Sequence, residues 1–238
     1  MIEQAGTGAR GGDGFLPPAL LSRILHKDAI EHELRKLWEG ADRCPFDPVE
    51  MTRKVLGPLA EEDDESESLE GNKRSYLFVV AILALLDKVR DIGDFVGDND
   101  GGIWDGDLPL QLYNGDDGSC VLRHRHNSQL IRCFETWTDS NHKSFSDYQW
   151  RLLVQTFALN DDNTIQELQL PDETIFPWCE EQLQSQNEAM SGGYGSVKKV
   201  KIHPLCHEFH ERLKAVCVIH PPPSSFCKGH IATNTAVL

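Results

Sequence analysis

Residues 190–202, MSGGYGSVKKVKI, contain three glycines in four positions and then pass into a run in which apolar and basic residues alternate. Glycine adopts backbone conformations that other residues avoid, so such a cluster is typical of a tight turn. The alternation after Gly195 has the two-residue period of a β-strand. The stretch therefore predicts a β-hairpin around Gly192 to Ile202. On glycine spacing alone, an ordinary flexible turn is the alternative.

The spacing is close to that of the loop G-x-G-x-x-G-x-V, which folds over the phosphates of ATP in protein kinases. The second glycine, the aromatic residue at the tip, the third glycine and the valine of that pattern correspond to Gly192, Tyr194, Gly195 and Val197. Met190 stands in place of the first glycine, where a side chain would crowd the approach of the nucleotide.

Residues 192–209, GGYGSVKKVKIHPLCHEF, resemble the start of the kinase domain in a family of fungal protein-kinase-like proteins. In that family an Ile-His-Pro segment follows the glycine loop and its second strand. Four upstream stretches, in the same order, are similar to the family's helical N-terminal extension; they are residues 15–17, 86–89, 107–110 and 148–151. The resemblance covers most of residues 15–215.

The resemblance implies a kinase N-lobe that binds ATP with Mg²⁺ through its glycine loop. In the complete family fold, the implied nucleotide-binding residues are Gly192, Gly193, Tyr194, Gly195 and Val197. The three glycines would approach the phosphates, the tyrosine would cover them and the valine would touch the adenine.

Phosphoryl transfer also needs a lysine on the third strand, a catalytic Asp and Asn, and an Asp that holds the metal. The residues after Gly195 contain no Ala-x-Lys, His-Arg-Asp or Asp-Phe-Gly motif. Residues 94–97, Asp-Phe-Val-Gly, have an extra valine and precede the glycine loop, so we do not assign them to the metal. We therefore expect a protein that resembles serine/threonine kinases but is inactive as written, a pseudokinase with no catalytic residue of its own and with weak or no nucleotide affinity.

The resemblance to the family stops abruptly at Cys217. This favours the hypothesis that a misread splice junction or a truncated reading frame near Val216 ends the kinase-like part. A transcript that continues in the present frame through Leu238 would count against it.

Apolar residues at helical spacing predict a mainly α fold, with helices over residues 17–25, 27–38, 48–56, 72–96, 128–137 and 146–159 and a long loop over 97–118. The predicted order of segments is a disordered start over 1–14, a helical N-terminal module over 15–164, a partial kinase N-lobe over 165–216 and a disordered tail over 217–238. Within the module, seven of the ten residues 61–70 are acidic, which predicts a solvated loop.

The chain has 23 Lys and Arg against 38 Asp and Glu, a formal net charge of −15. This charge disfavours binding to nucleic acid or to an anionic membrane. The longest apolar run is shorter than the roughly 20 residues that a membrane-spanning helix needs. The start of the sequence lacks the pattern of a secretory signal. We therefore expect an intracellular, cytoplasmic protein with reduced cysteines and no nucleic-acid or membrane partner.

A competing function is a helical module that binds a protein partner, with or without a zinc-binding tail. Cys217, His220, Cys227 and His230 have the spacing C-x₂-H-x₆-C-x₂-H, and thiolate and imidazole ligands suit tetrahedral zinc. Half of the six residues between the two pairs are proline, which stiffens the linker and opposes wrapping around one ion. A solvated, His-rich tail is the alternative, so no metal site is assigned.

Overall fold

A computed structural model describes residues 6–7, 14–39, 44–57, 74–96, 102–125, 130–158, 170–179, 190–192, 195–197 and 201–208. The chain divides into two compact units. We call residues 20–152 the helical unit, and residues 1–19 together with 153–238 the hairpin unit. The acidic residues 61–70 and the tail 217–238 lie outside the described residues.

This division differs from the predicted one, which placed the boundary at residues 164–165 and gave residues 15–19 to the helical module. The N-terminal segment instead belongs with the C-terminal part of the chain. Phe15 is only 1% exposed, and its ring meets the ring of His203 edge-on at 5.7 Å. Burial of one aromatic side chain is enough to fix a short segment, and a local reading of the sequence does not reveal its partner.

The predicted mainly α character is confirmed. The described residues contain six α-helices: α1 Pro18–Ile24, α2 Lys27–Leu37, α3 Pro48–Leu56, α4 Leu77–Leu85, α5 Ile92–Phe95 and α6 Asp139–Leu152. None of these helices has the length and apolar character needed to cross a membrane.

The first three helices agree closely with the sequence prediction. At α3, the Oδ1 atom of Asp47 accepts a hydrogen bond from the backbone N–H of Val49 at 3.0 Å, and Pro48 takes the first helical position. This arrangement satisfies one of the exposed N–H groups at the helix start. Gly57 ends the helix with φ of 54°, a conformation that favours glycine.

Helix α4 is the apolar centre of the helical unit, and it is much shorter than the helix predicted over 72–96. It ends in a Schellman motif, in which the N–H of Lys88 donates to the carbonyl of Leu83 at 2.8 Å and the N–H of Asp87 to that of Ala84 at 3.2 Å. Asp87 has φ of 55°. Glycine is the usual residue at this position, so the aspartate does not indicate from the sequence that the helix ends here.

A β-hairpin replaces part of the loop predicted over 97–118. Strands β3, Gln111–Asn114, and β4, Cys120–Arg123, pair in antiparallel register. The turn between them is closed by the N–H of Gly115, which donates to the carbonyl of Ser119 at 2.8 Å, and Gly118 has φ of 84°. Gly115, Asp116, Asp117 and Gly118 of the predicted loop therefore form the turn of a hairpin.

Helix α6 begins earlier than the helix predicted over 146–159. Thr138 precedes its first residue, and its Oγ1 atom accepts from the N–H of Asn141 at 3.3 Å, so Thr138 caps the helix. The predicted helix over 128–137 is also wrong, because Arg132–Phe134 forms a single 3₁₀ turn. That turn places Phe134 among other buried aromatic rings, and this packing outweighs local helix propensity.

Asp105 links a loop to the start of α4. Its Oδ1 atom accepts from the N–H groups of Phe78 at 3.0 Å and Val79 at 3.1 Å, and its Oδ2 atom accepts from the Ser75 hydroxyl at 2.8 Å. Burial raises the pKa of Asp105 to about 6, and these hydrogen bonds only partly oppose the rise. A residue 26 or more positions away therefore caps the central helix.

This cap predicts a pH-dependent stability. The unfolded carboxyl loses its proton near its ordinary pKa of 3.8, whereas the folded one keeps it until about pH 6. Stability from this group is therefore highest below pH 4 and falls by on the order of 3 kcal/mol as the pH rises to 6. Urea unfolding between pH 4 and 7 should show this decline, and Asp105→Asn should flatten it. The exposed control Asp116→Asn should keep the wild-type profile; a decline that survives Asp105→Asn contradicts the assignment.

The described residues of the hairpin unit include three two-stranded antiparallel ribbons. They are β1 Gly6–Thr7 with β2 Gly14–Phe15, β5 Trp178–Cys179 with β8 Lys201–Ile202, and β6 Met190–Gly192 with β7 Gly195–Val197. Gly6, Thr7 and Gly14 fall within the start predicted to be disordered. They form a ribbon instead, in which Gly6 pairs with the buried Phe15 and Thr7 pairs with Gly14.

Candidate functional site

The glycine-rich stretch forms the tip of an antiparallel hairpin. Met190 lies opposite Val197, Ser191 opposite Ser196, and Gly192 opposite Gly195. The last pair encloses only two residues of the chain, as in the shortest common β-hairpins. Both members of this closing pair lack a Cβ atom, so neither has a side chain that would hinder close approach of another group to its backbone.

The structure brings together three of the five residues predicted to bind nucleotide. Gly192 and Gly195 face each other across the ribbon, and Val197 lies one strand pair further from the tip than Ser196. Gly193 and Tyr194 lie outside the described residues, so their roles at the phosphates remain predictions. Met190, which replaces the first glycine of the kinase pattern, pairs with Val197 across the ribbon.

A second ribbon lies at the base of the same hairpin. Trp178 pairs with Ile202 and Cys179 with Lys201, and the N–H of His203 donates to the carbonyl of Pro177 at 2.8 Å. Along the chain, the two strands of the glycine ribbon lie between the two strands of this second ribbon. Both ribbons therefore pair the chain before the glycines with the chain after them. The alternating run after Gly195 was predicted as one strand. It instead contributes Val197 to the glycine ribbon and its last two residues to the second ribbon.

Three aromatic rings stack beside the base of the hairpin. The Trp178 ring lies 5.2 Å from that of Phe176 and 6.0 Å from that of Phe157, with interplanar angles of 3° and 9°. All three side chains are half-buried. Sequence reasoning missed this stack, although Phe176 and Trp178 show the two-residue spacing of one strand face.

Phe157 reaches the stack through a parallel bridge to His207. Its N–H donates to the carbonyl of Cys206 at 2.9 Å, and its carbonyl accepts from the N–H of Glu208 at 3.0 Å. The two bridged residues are 50 positions apart, so no local pattern in the sequence could have joined them.

The titratable groups near this base favour their neutral forms. Burial lowers the pKa of His203, whose Nδ1 atom accepts from the N–H of Leu205 at 3.2 Å. Cys206 is fully buried, and burial raises the pKa of its thiol to about 11, with a smaller contribution from Cys179. Since the thiolate is the reactive form of cysteine, Cys206 is an inert thiol at neutral pH.

The closing pair of the hairpin, Gly192 and Gly195, offers backbone groups and no carboxylate. Glycines at the closing pair allow the backbone to approach an anion, but Mg²⁺ prefers carboxylate oxygens. Within the described ranges, no group of three or more His, Cys, Asp or Glu side chains is placed to hold a metal ion. The four candidate zinc ligands of the tail, Cys217, His220, Cys227 and His230, lie outside those ranges, so that alternative stays a prediction.

Residues Asp94 and Phe95, which superficially match a kinase metal motif, lie in helix α5 of the helical unit. Phe95 is fully buried, and its ring packs edge-on against Phe134 at 5.3 Å. Phe95 therefore belongs to the core of the helical unit, whereas Asp94 is exposed.

No family model, curated protein or solved structure matches the chain.

Proposed function

We propose that the hairpin unit carries a kinase-like glycine loop that binds the phosphates of a nucleoside triphosphate, as the sequence resemblance implies. The single observation that carries this proposal is the closing pair of the hairpin, Gly192 opposite Gly195, with two residues between them. A glycine loop covers phosphates only when its backbone can come close to them, and side chains at these two positions would stand in the way.

The sequence next to the loop supports an anionic ligand. Lys198, Lys199 and Lys201 follow the hairpin tip within six residues of Gly195, in a chain whose net charge is −15. A basic cluster in an otherwise acidic protein gives local attraction for phosphate where the overall field would repel it.

We propose nucleotide binding, and no transfer step, for these 238 residues. The 238 residues contain the loop but no Ala-x-Lys strand motif, His-Arg-Asp motif or Asp-Phe-Gly motif after it. These groups hold the α- and β-phosphates, accept the substrate proton and bind Mg²⁺ in kinases. The proposed class is a pseudokinase-like nucleotide-binding protein of the cell interior, and the described cysteines, which form no disulfide, are compatible with a reducing cytoplasm.

Calorimetric titration of the full chain with ATP, with and without Mg²⁺, tests the proposal. We expect saturable binding below about 1 mM, which corresponds to ~4 kcal/mol. Gly195→Asp adds a Cβ atom and a negative charge at the closing pair and should weaken binding by about tenfold or more, ~1.4 kcal/mol. Gly195→Ala adds the Cβ atom alone and should have a smaller effect in the same direction.

Ser196→Ala is the matched control, because it changes the adjacent residue of the same strand without adding an atom. It should retain wild-type affinity. No saturable heat for the full chain, or equal affinity of the Gly195→Asp variant, would show that the hairpin is not a nucleotide loop. The helical unit would then be the part to test for a protein partner.

A further inference from the structure

The glycine ribbon, formed by β6 and β7, has two faces that differ in the residues they carry. Successive residues of a strand belong to opposite faces, and residues paired across antiparallel strands belong to the same face. The three pairs therefore alternate between the faces: Gly192 with Gly195 and Met190 with Val197 on one, Ser191 with Ser196 on the other. We call these the glycine face and the serine face.

A phosphate chain held at the closing pair belongs on the glycine face. A Cβ atom at Gly192 or Gly195 would project to that face, and glycine has none. The absence of side chains at these two positions therefore matters for a ligand on the glycine face and makes no difference to one on the serine face. This step rests on the proposed function, in which the closing pair lies against phosphates.

The next pair along the glycine face is Met190 and Val197. Residues along a strand are about 3.3 Å apart, so this pair is about 7 Å from the closing pair. A nucleoside that continues from the phosphates along the ribbon meets these two positions. Neither methionine nor valine has a side-chain nitrogen or oxygen, whereas selection of one base over another depends on hydrogen bonds to its polar edge. Methionine also adds a long side chain where glycine would add none.

The basic residues after the ribbon attract phosphate whatever is attached to it. Lys198 and Lys199 follow Val197 directly in the sequence, and Lys201 pairs with Cys179 in the second ribbon. An ammonium group acts as a point charge and has no acceptor with which to read a base. These lysines therefore favour the phosphate chain and give no preference among bases.

We propose that the group recognised by the hairpin is the triphosphate chain itself, and that Met190 keeps the nucleoside off the glycine face, so that the site does not select a base. Nucleoside triphosphates and inorganic tripolyphosphate share this chain, and both are ligands. The inference depends on the proposed function, but it can fail separately, because a loop that binds phosphates can still select a base.

Calorimetric titration of the full chain with ATP, GTP, CTP and inorganic tripolyphosphate, all without Mg²⁺, tests the absence of base selection. The three nucleotides carry the same phosphate chain, and their dissociation constants should agree within about threefold. Tripolyphosphate should also give saturable heat. A preference of about tenfold or more for one base, or binding of nucleotides without binding of tripolyphosphate, would overturn this inference and leave the proposed function standing. No saturable heat with any of these ligands would overturn both.

Met190→Gly tests the part played by the methionine. It should raise the affinity for ATP relative to tripolyphosphate several-fold, because the nucleoside then has space on the glycine face. Ser191→Gly is the matched control, since it creates a glycine at the next position of the same strand but on the serine face. It should leave this affinity ratio at the wild-type value. An unchanged ratio for Met190→Gly, or an equal change in both variants, would contradict the role of Met190, and the comparison of ligands on the wild-type chain holds whether or not either variant folds.

Discussion

Replacement of Gln149 by leucine should lower the free energy of unfolding of the helical unit by about 4 kcal/mol. Gln149 is fully buried in α6, where its Oε1 atom accepts from the N–H of Leu110 at 2.7 Å and its Nε2 atom donates to the carbonyl of the same residue at 2.8 Å. Leucine fills a similar volume but leaves both backbone groups of Leu110 buried and unpaired. Each such group costs roughly 1–3 kcal/mol.

Gln111→Leu is the matched control, since Gln111 is an exposed glutamine at the start of β3. Its effect should stay within about 0.5 kcal/mol. Urea unfolding followed by tryptophan fluorescence, in a Trp178→Phe background, reports on the helical unit alone, because the other four tryptophans lie within residues 20–152. Equal losses of stability for the two leucine variants would show that the paired hydrogen bonds to Leu110 do not hold α6 to the hairpin of β3 and β4.

The part of the fold that the sequence predicts is the part decided by local signals. Helix α3 follows an aspartate cap and a proline at its first position, and its predicted bounds agree with the structure. Apolar residues predict where helix α4 lies, but they do not predict where it ends. Its end is missed because Asp87 takes the left-handed conformation that glycine usually takes at this position. The sequence does not predict the start of α6 either, because Thr138 is one of several Ser, Thr and Asp residues in this stretch that can cap a helix.

In the candidate site, too, the sequence predicts the local features and misses the long-range contacts. Three glycines in four positions predict a hairpin tip, and the pairing of Gly192 with Gly195 lies there. The ring stack and the proximity of β1 to β5 could not be predicted, since each joins residues far apart in sequence: Phe157 with His207, and Gly6–Thr7 with Trp178–Cys179. Such contacts depend on the packing of the whole unit, and hydrophobic periodicity within a short stretch of sequence does not predict them.

Phe134→Ala should cause a loss of stability as large as that of Gln149→Leu, about 4 kcal/mol. The Phe134 ring is 4% exposed and contacts four other buried rings edge-on, at centroid distances between 5.0 and 5.8 Å; these rings belong to Phe95, Trp137, His142 and Phe145. Truncation to alanine removes the apolar burial and leaves a cavity, a change that costs about 3–5 kcal/mol for phenylalanine. Each edge-to-face pair adds to this loss.

Leu130→Ala is the control for this prediction, because Leu130 lies four residues before Phe134 and is 67% exposed. Its effect on urea unfolding should stay within about 0.5 kcal/mol. The cluster joins α5, the 3₁₀ turn and α6, so the Phe134→Ala variant should also lose near-UV circular dichroism from Trp137, whose ring lies 5.0 Å away. If the variant keeps both its stability and this signal, the rings do not form the common core of these elements, and α6 must be held by its hydrogen bonds to Leu110 instead.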